Sequence, residues 1–303
     1  MNYLIKILKI LLTRYGIFIT IYISLRFSFI YLLLLFKRSI QINWINDVNI
    51  IISKSDKSLL CTLYLGLPEI REQMFLMRTL TPKDLFIDVG ACTGSFSLLA
   101  GCVCNSNILS FEPVHSSYTR LIENLNINIK YLNQKNNNIT LQKIVSNKHT
   151  SFFISNNNGV QNKVSLEDNL LNSNYELIET CTLDDFNYNE YQGIFLKIDV
   201  EGFESFVLDG AKKLLSNPNL YAICIETAGH GSKFGKSDFD LLEIIKSYGF
   251  IPINFSTSNQ HINEDKAIYE NTILIRDFNE IEGRLLNNKN LKINIKSVPD
   301  FFI

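Results

Sequence analysis

Apolar and polar positions divide this 303-residue chain into an opening apolar stretch and a long alternation of short apolar runs with helix-spaced ones. The short runs are Leu85 to Val89, Ile108 to Phe111, Thr140 to Val145, Ile194 to Ile198 and Tyr221 to Glu226. Most have the length and continuous hydrophobicity of parallel strands buried on both faces. Between them, Phe96, Leu98, Leu99, Cys102 and Val103 recur at helical spacing, as do Tyr118, Leu121, Ile122 and Leu125. Phe203, Phe206, Val207 and Leu214 do the same after the fourth run. Strands alternating with helices predict an α/β architecture. Ile251 to Phe255 and Asn271 to Arg276 read as two more strands with no helix between them. Five parallel strands closed by a hairpin are therefore expected.

The flanking segments are read in the same way. Ser39 to Ser53 alternates about Asn46-Asp47 and predicts a hairpin. Pro68 to Leu80 predicts a helix with Ile70, Met74, Met77 and Leu80 near one face, stopped by Thr81-Pro82. Asp238 to Tyr248 predicts another, capped by Ser237 and followed by Gly249. Asn133 to Asn138 reads as a solvated connection. Ser155 to Asn174 reads either as an irregular insertion over a site or as a plain surface loop. The tail from Asp277 offers no site, and its VPDFFI end either packs or frays.

The opening stretch has its own pattern. Residues 1–38 contain no acidic group. Lys6 and Lys9 sit among leucines and isoleucines, and Gly16 to Phe36 is almost wholly apolar, broken by Arg26, with Lys37-Arg38 at its end. That run suffices for a bilayer core of ~30 Å. Arg26 near its middle would cost about 3 kcal/mol on insertion. Three readings stay open: a transmembrane anchor, a pair of interfacial helices, or a helical extension packed on the domain. Basic residues at both ends leave orientation unset. A cleaved signal peptide is disfavoured, because the run is too long and lacks a small-residue cleavage site. The expected layout is a hydrophobic segment 1–38, a domain 39–276 and a tail 277–303, in the cytoplasm, with attachment to a membrane left open.

Composition narrows the function. An apolar share of 46% supports a large core, and a net charge of −1 gives no basic field for nucleic acid. Six cysteines at 61, 92, 102, 104, 181 and 224 form no CxxC pair. A zinc site or disulfide framework is not expected, and a reducing compartment is.

The candidate chemistry begins at Asp88-Val-Gly90-Ala91-Cys92-Thr93-Gly94, which turns the chain after the first sheet strand. Two glycines let backbone approach a ligand. Glu112, 22 residues after Gly90 and followed by Pro113, ends the second strand, where a carboxylate can accept both hydroxyls of a ribose. The spacing GxxxG is not the GxGxxG of a pyrophosphate cradle. Asp88 beside the first glycine would repel phosphate and suit an ammonium or sulfonium. S-adenosylmethionine therefore fits better than NAD. A tight turn in an unrelated α/β protein fits the same residues. Ser146, at the end of the third strand, could edge an adenine pocket.

The second informative stretch is Gly193 to Gly210. Asp199, Glu201 and Glu204 cluster beyond its strand. Glu201 or Glu204 would also favour a helix start. Asp199 falls where cofactor and substrate would meet, and ligands of open α/β sheets bind at such strand ends. His230 lies in the loop after the fifth strand, on the same rim, although a lone loop histidine is often incidental. A divalent cation on Asp199, Glu201 and Glu226 is the lesser alternative, and no metal is assigned. His115, His149 and His261 show no partner in the sequence.

FIDVGACTGSFSLLAG, FEP, TLDDF, LKIDVEGFESFVLDGAKKLL and CIE occur in that order over about residues 66–276. Together they resemble the FkbM family of S-adenosylmethionine-dependent methyltransferases. The family pattern has asparagine where Cys92 stands, so any ligand bond from that side chain is lost. The resemblance implies a class I, Rossmann-like methyltransferase fold: a seven-stranded sheet with helices on both faces. It implies that Asp88, Gly90 and Gly94 shape the methionine end of the cofactor site and that Glu112 holds the ribose, with Ala91 and Pro113 also counted as cofactor-binding. Asp199 and Glu201 would stand near the methyl group. The implied reaction is O-methylation of a hydroxyl on a sugar, glycan, lipid-linked or natural-product acceptor. Asp199 is then the first candidate base and His230 the second. A non-catalytic binding protein on the same scaffold and an NAD-linked oxidoreductase remain as alternatives.

Overall fold

A computed structural model describes residues 2–132, 137–155, 164–165, 175–230, 235–265, 267–288 and 292–296. The chain opens with a long helix, α1 (Asn2–Phe36), interrupted at Gly16, where φ is 75° and ψ 177°. The hairpin β1 (Ser39–Ile45) and β2 (Val48–Ser53) follows, as the alternation predicts. Two single turns, α2 (Lys57–Leu60) and α3 (Thr62–Leu65), lead into α4 (Ile70–Thr79). Next come β3 (Leu85–Val89), α5 (Ser95–Leu98) with a π-helical continuation to Val103, β4 (Asn107–Phe111), α6 (His115–Ile127) and β5 (Asn138–Leu141).

A small second sheet is made by β6 (Ile144–Val145), β7 (Ser151–Ser155), β8 (Val164–Ser165) and β9 (Tyr175–Cys181), in the order β6-β9-β7-β8. The chain then returns to the main sheet. That part comprises β10 (Ile194–Ile198), α7 (Glu204–Asp209), α8 (Lys212–Ser216), β11 (Leu220–Glu226), α9 (Asp238–Ser247), β12 (Ile251–Ser256), β13 (His261–Glu264), β14 (Asn271–Ile275) and α10 (Phe278–Asn287).

The main sheet has the order β13-β12-β14-β11-β10-β3-β4-β5. Strands β11, β10, β3, β4 and β5 run parallel, and β14, slotted between β11 and β12, runs antiparallel to both. Five parallel strands closed by a hairpin are thus present. The seven expected strands gain an eighth, the edge strand β13. Side chains of β3 and β10 alternate between two apolar layers. Phe86 and Phe195 face the layer of α4 and the β1–β2 hairpin, whereas Ile87 and Leu196 face that of α7 and α9. Burial on both faces is why these strands read as unbroken apolar runs.

Two expectations change. The predicted strand Thr140 to Val145 is two strands. Its first half ends at Leu141 in the main sheet, and Ile144–Val145 pairs with β9 instead. The break falls at the polar pair Gln142-Lys143, where Gln142 bonds to the Pro113 carbonyl and to Glu176. The tail is also more than an appendage. In α10, Arg284 pairs with the fully buried Asp84 at 2.5 Å, and Ile293 and Ile295 are buried, with Ile295 bridging to Ile45. Of the expected insertion 155–174, residues 156–163 and 166–174 lie outside the described residues, as do 133–136 of the Asn-rich connection and 297–303 of the end.

Candidate active site

The turn after β3 is built by close packing. Gly90 has φ of 85°, and a Cβ there would lie 1.9 Å from the Asp199 carbonyl oxygen. The neighbouring strand end thus requires a glycine here, in addition to the approach to a ligand expected from sequence. The Gly90 and Ala91 amides donate to the Phe111 carbonyl at 3.0 and 2.9 Å, tying the turn to β4. Gly94, φ 94°, precedes α5, and a Cβ there would meet Leu121 at 2.5 Å. Cys92 adopts φ of 50°, a conformation asparagine tolerates better than cysteine.

A cavity of about 420 Å³ opens above these strand ends, within the size range of small-ligand sites. Asp88, Gly90, Ala91, Glu112, Pro113, Asp199 and Glu201, all anticipated from sequence, line it. Gly94, Ser146 and His230 are not among its lining residues. Ser146 is fully buried, its carbonyl pressed on Gly210 and its amide bonded to Cys181. That side of the cavity is lined instead by Lys143, Ile144, Val145 and Ile154.

Seven carboxyl side chains line the cavity (Glu69, Asp88, Glu112, Asp199, Glu201, Glu226 and Glu270) against two lysines, Lys143 and Lys197. That excess suits a cationic ligand. The registers of β3 with β10 and β4 set Asp88 beside Lys197 and Ser110. Asp88 Oδ2 accepts from the Ser97 hydroxyl at 2.6 Å, while its buried Oδ1 has no partner. Burial holds the Asp88 carboxyl above its ordinary range, against the pull of Lys197. Glu112 Oε2 accepts from the Cys92 amide at 2.8 Å and Oε1 from the Val114 amide at 2.9 Å. Burial pushes Glu112 up to about 7, and the two amides oppose it. Each oxygen keeps a further lone pair for a hydroxyl.

Lys197 was missed by sequence reasoning, although a lysine within the apolar strand IFLKI is the signal for it. Its ammonium donates to Asp199 Oδ2 at 2.7 Å and stands 4.8 Å from the centre of the Phe96 ring. Burial works against its charge, but Asp199, Glu69 and Asp88 outweigh that and raise its pKa. Glu69 carries no local signal at all. The start of α4 brings it to the cavity, and burial pushes it up to about 7.

On the rim, His230 Nδ1 lies 3.3 Å from both Glu201 Oε2 and Glu226 Oε1. Burial, then Asp199 and Glu201, push Glu226 up to about 8. Glu201, Glu226 and His230 offer ligand atoms within 4.8 Å of one another, a spacing a divalent cation can use. Asp199, suggested as a ligand from sequence, is engaged by Lys197 instead. Away from the site, His149 pairs with Asp185 at 3.2 Å and His115 faces Gln142 at 3.4 Å.

Residues 88–252 match the model of the Methyltransferase FkbM domain. No curated protein matches the chain. Among solved structures it is similar to methyltransferase FkbM from Methylobacillus flagellatus KT, with 15% identity and a TM-score of 0.46. That alignment covers 74% of this chain and 55% of the other, so the chain spans about half of that protein. It is also similar to magnesium protoporphyrin IX methyltransferase (ChlM) from Synechocystis PCC 6803 with bound SAM. There the identity is 9% over 73% of this chain and 85% of that one, with a TM-score of 0.40.

Proposed function

This chain belongs to the FkbM methyltransferase family, and we propose that it moves the methyl group of S-adenosylmethionine onto a hydroxyl oxygen. The observation that carries the reading is the acid-rich cavity with the unpartnered Asp88 Oδ1 in its lining. Such a lining fits a cofactor bearing an ammonium and a sulfonium, and disfavours the pyrophosphate of a dinucleotide. Asp88 takes the amino group of the methionine end. Glu112 takes the ribose hydroxyls. Ile144, Val145 and Ile154 give the apolar wall for the base. Cys92 still supplies its amide to Glu112, so the lost side-chain bond leaves the main-chain cradle intact.

The cofactor, when bound, supplies a methyl group already activated on sulfur. The protein has to align the acceptor oxygen with it and remove the hydroxyl proton. Of the two candidate bases, Asp199 already has its Oδ2 engaged by the Lys197 ammonium. His230 has two carboxylates 3.3 Å from Nδ1, which favour the tautomer with its proton on that side and leave Nε2 to take one. We assign the proton transfer to His230 and the positioning of the acceptor to Asp199 and Glu201. The acceptor class is a hydroxyl of a sugar, glycan, lipid-linked or natural-product molecule. A cytoplasmic protein attached to a membrane through residues 1–38 would meet a lipid-linked acceptor at that surface.

Calorimetric titration with S-adenosylhomocysteine and with NAD tests the cofactor. Binding of the first alone is expected, and binding of NAD alone would end the reading. Incubation with methyl-labelled cofactor and cell extract, separated into lipid, glycan, small-molecule and protein fractions, identifies the acceptor class. His230→Ala is expected to lower turnover by about a hundredfold or more while leaving S-adenosylhomocysteine affinity unchanged. Equal turnover would remove His230 as the base.

A further inference from the structure

Among the described residues nineteen large apolar side chains are exposed, and thirteen of them lie on α1. Its segment Tyr15–Phe36 is long and apolar enough to cross a bilayer. Its packing points to a different seat. Thr20, Ile23, Ile30 and Leu34 are buried, at the three- and four-residue spacing of one helical stripe. Phe27 meets the Tyr64 ring edge-on with centres 5.6 Å apart, and the Tyr15 hydroxyl donates to the Leu65 carbonyl at 2.7 Å. Ile23, Ile30 and Leu34 belong to the same apolar core as the hairpin and α4. A helix surrounded by lipid would uncover that core.

The opposite stripe is apolar as well. Phe18, Leu25, Phe29 and Phe36 are 85%, 68%, 62% and 83% exposed. Ser24 and Ser28 each donate to the carbonyl four residues back at 2.8 Å, so these hydroxyls need no water. Charge selects the occupant. The first 46 residues hold Lys6, Lys9, Arg14, Arg26, Lys37 and Arg38 and no acid. A second copy would set cation against cation, whereas anionic headgroups complement them.

We propose that α1 is a docking face for an anionic lipid surface and lies in the plane of one leaflet. Its outer stripe enters the acyl boundary, and its inner stripe stays on the domain. The proposal shares with the methyltransferase reading only the presence of a bilayer, and it uses no residue of the cavity.

The full chain is sedimented with phosphatidylcholine vesicles made with and without phosphatidylserine. Binding to the phosphatidylserine vesicles is expected, weakened at least tenfold, roughly, by Phe18→Asp or Leu25→Asp. Depth is read by brominated-lipid quenching of Phe18→Trp, Leu25→Trp and Phe36→Trp, against the parent chain, whose only tryptophan, Trp44, is buried. Equal, shallow depths support the in-plane seat. A deep Leu25→Trp between two shallow probes means a spanning helix and overturns it. So does binding that the aspartate variants leave unchanged, or self-association of the chain in place of vesicle binding. Vesicle binding without S-adenosylhomocysteine binding supports the docking face and counts against the methyltransferase reading alone.

Discussion

Glu112 is enclosed, yet each of its oxygens is held by a main-chain amide, so it is fixed in place before any ligand arrives. Glu112→Ala is expected to weaken S-adenosylhomocysteine binding by at least about 1 kcal/mol, read by calorimetry. Unchanged affinity would reassign the ribose partner. The same burial makes a pH signature. Glu69 and Glu112 are each pushed up to about 7 from an ordinary 4.5. Between those values the folded chain keeps protons that the unfolded chain releases. The stability they contribute is full below about 4.5 and lost as pH rises through about 7. The denaturant midpoint of the ligand-free chain should therefore fall over that window, and Glu112→Gln should flatten the fall. Asp88, Glu112 and Asp199 were legible in sequence because each ends a strand next to a turn. Lys197 was not assigned a role, because its importance comes from its register beside Asp88 on another strand.

Elements were legible where one period dominates and harder where partners are distant. The hairpin β1–β2 and helix α9 came out as expected, the latter with Ser237 accepting from the Asp240 amide at its start. The division between β5 and β6 did not, since a continuous apolar run says nothing about which sheet each half joins. Helix α10 was read as tail because its key contact spans 200 residues. Arg284 covers the buried Asp84, which also accepts from the Thr81 amide and hydroxyl at 2.7 and 2.8 Å. Arg284→Ala leaves that carboxylate without its cation and should cost roughly 3 kcal/mol in denaturant unfolding. S-adenosylhomocysteine affinity should hold, because Asp84 lies at the end of β3 away from the cavity. A loss of less than about 1 kcal/mol would show that the two threonine bonds suffice.

At the scale of the whole molecule, alternating strands and helices specified the α/β order, and the closing hairpin specified the reversed strand β14. The edge strand β13 was missed, being short, largely polar and close to β12. The cavity draws on the residue before α4, on β3, α5, β4, α6, the small sheet, β10, β11 and β14. A ligand there should stabilise all of them together. S-adenosylhomocysteine at a hundred times its dissociation constant should raise unfolding free energy by about 2.7 kcal/mol in one cooperative transition. Two separate transitions, only one of them ligand-sensitive, would contradict this.

The contact between Gly90 and Asp199 sets how far apart the strand ends at the floor of the cavity can stand. With the two strand ends resting backbone on backbone, and the Asp199 amide bonded to the Val89 carbonyl at 3.0 Å, there is no joint between them. Any side chain at position 90 would have to part these strand ends, so the spacing that a bound cofactor meets is fixed by main chain before it arrives.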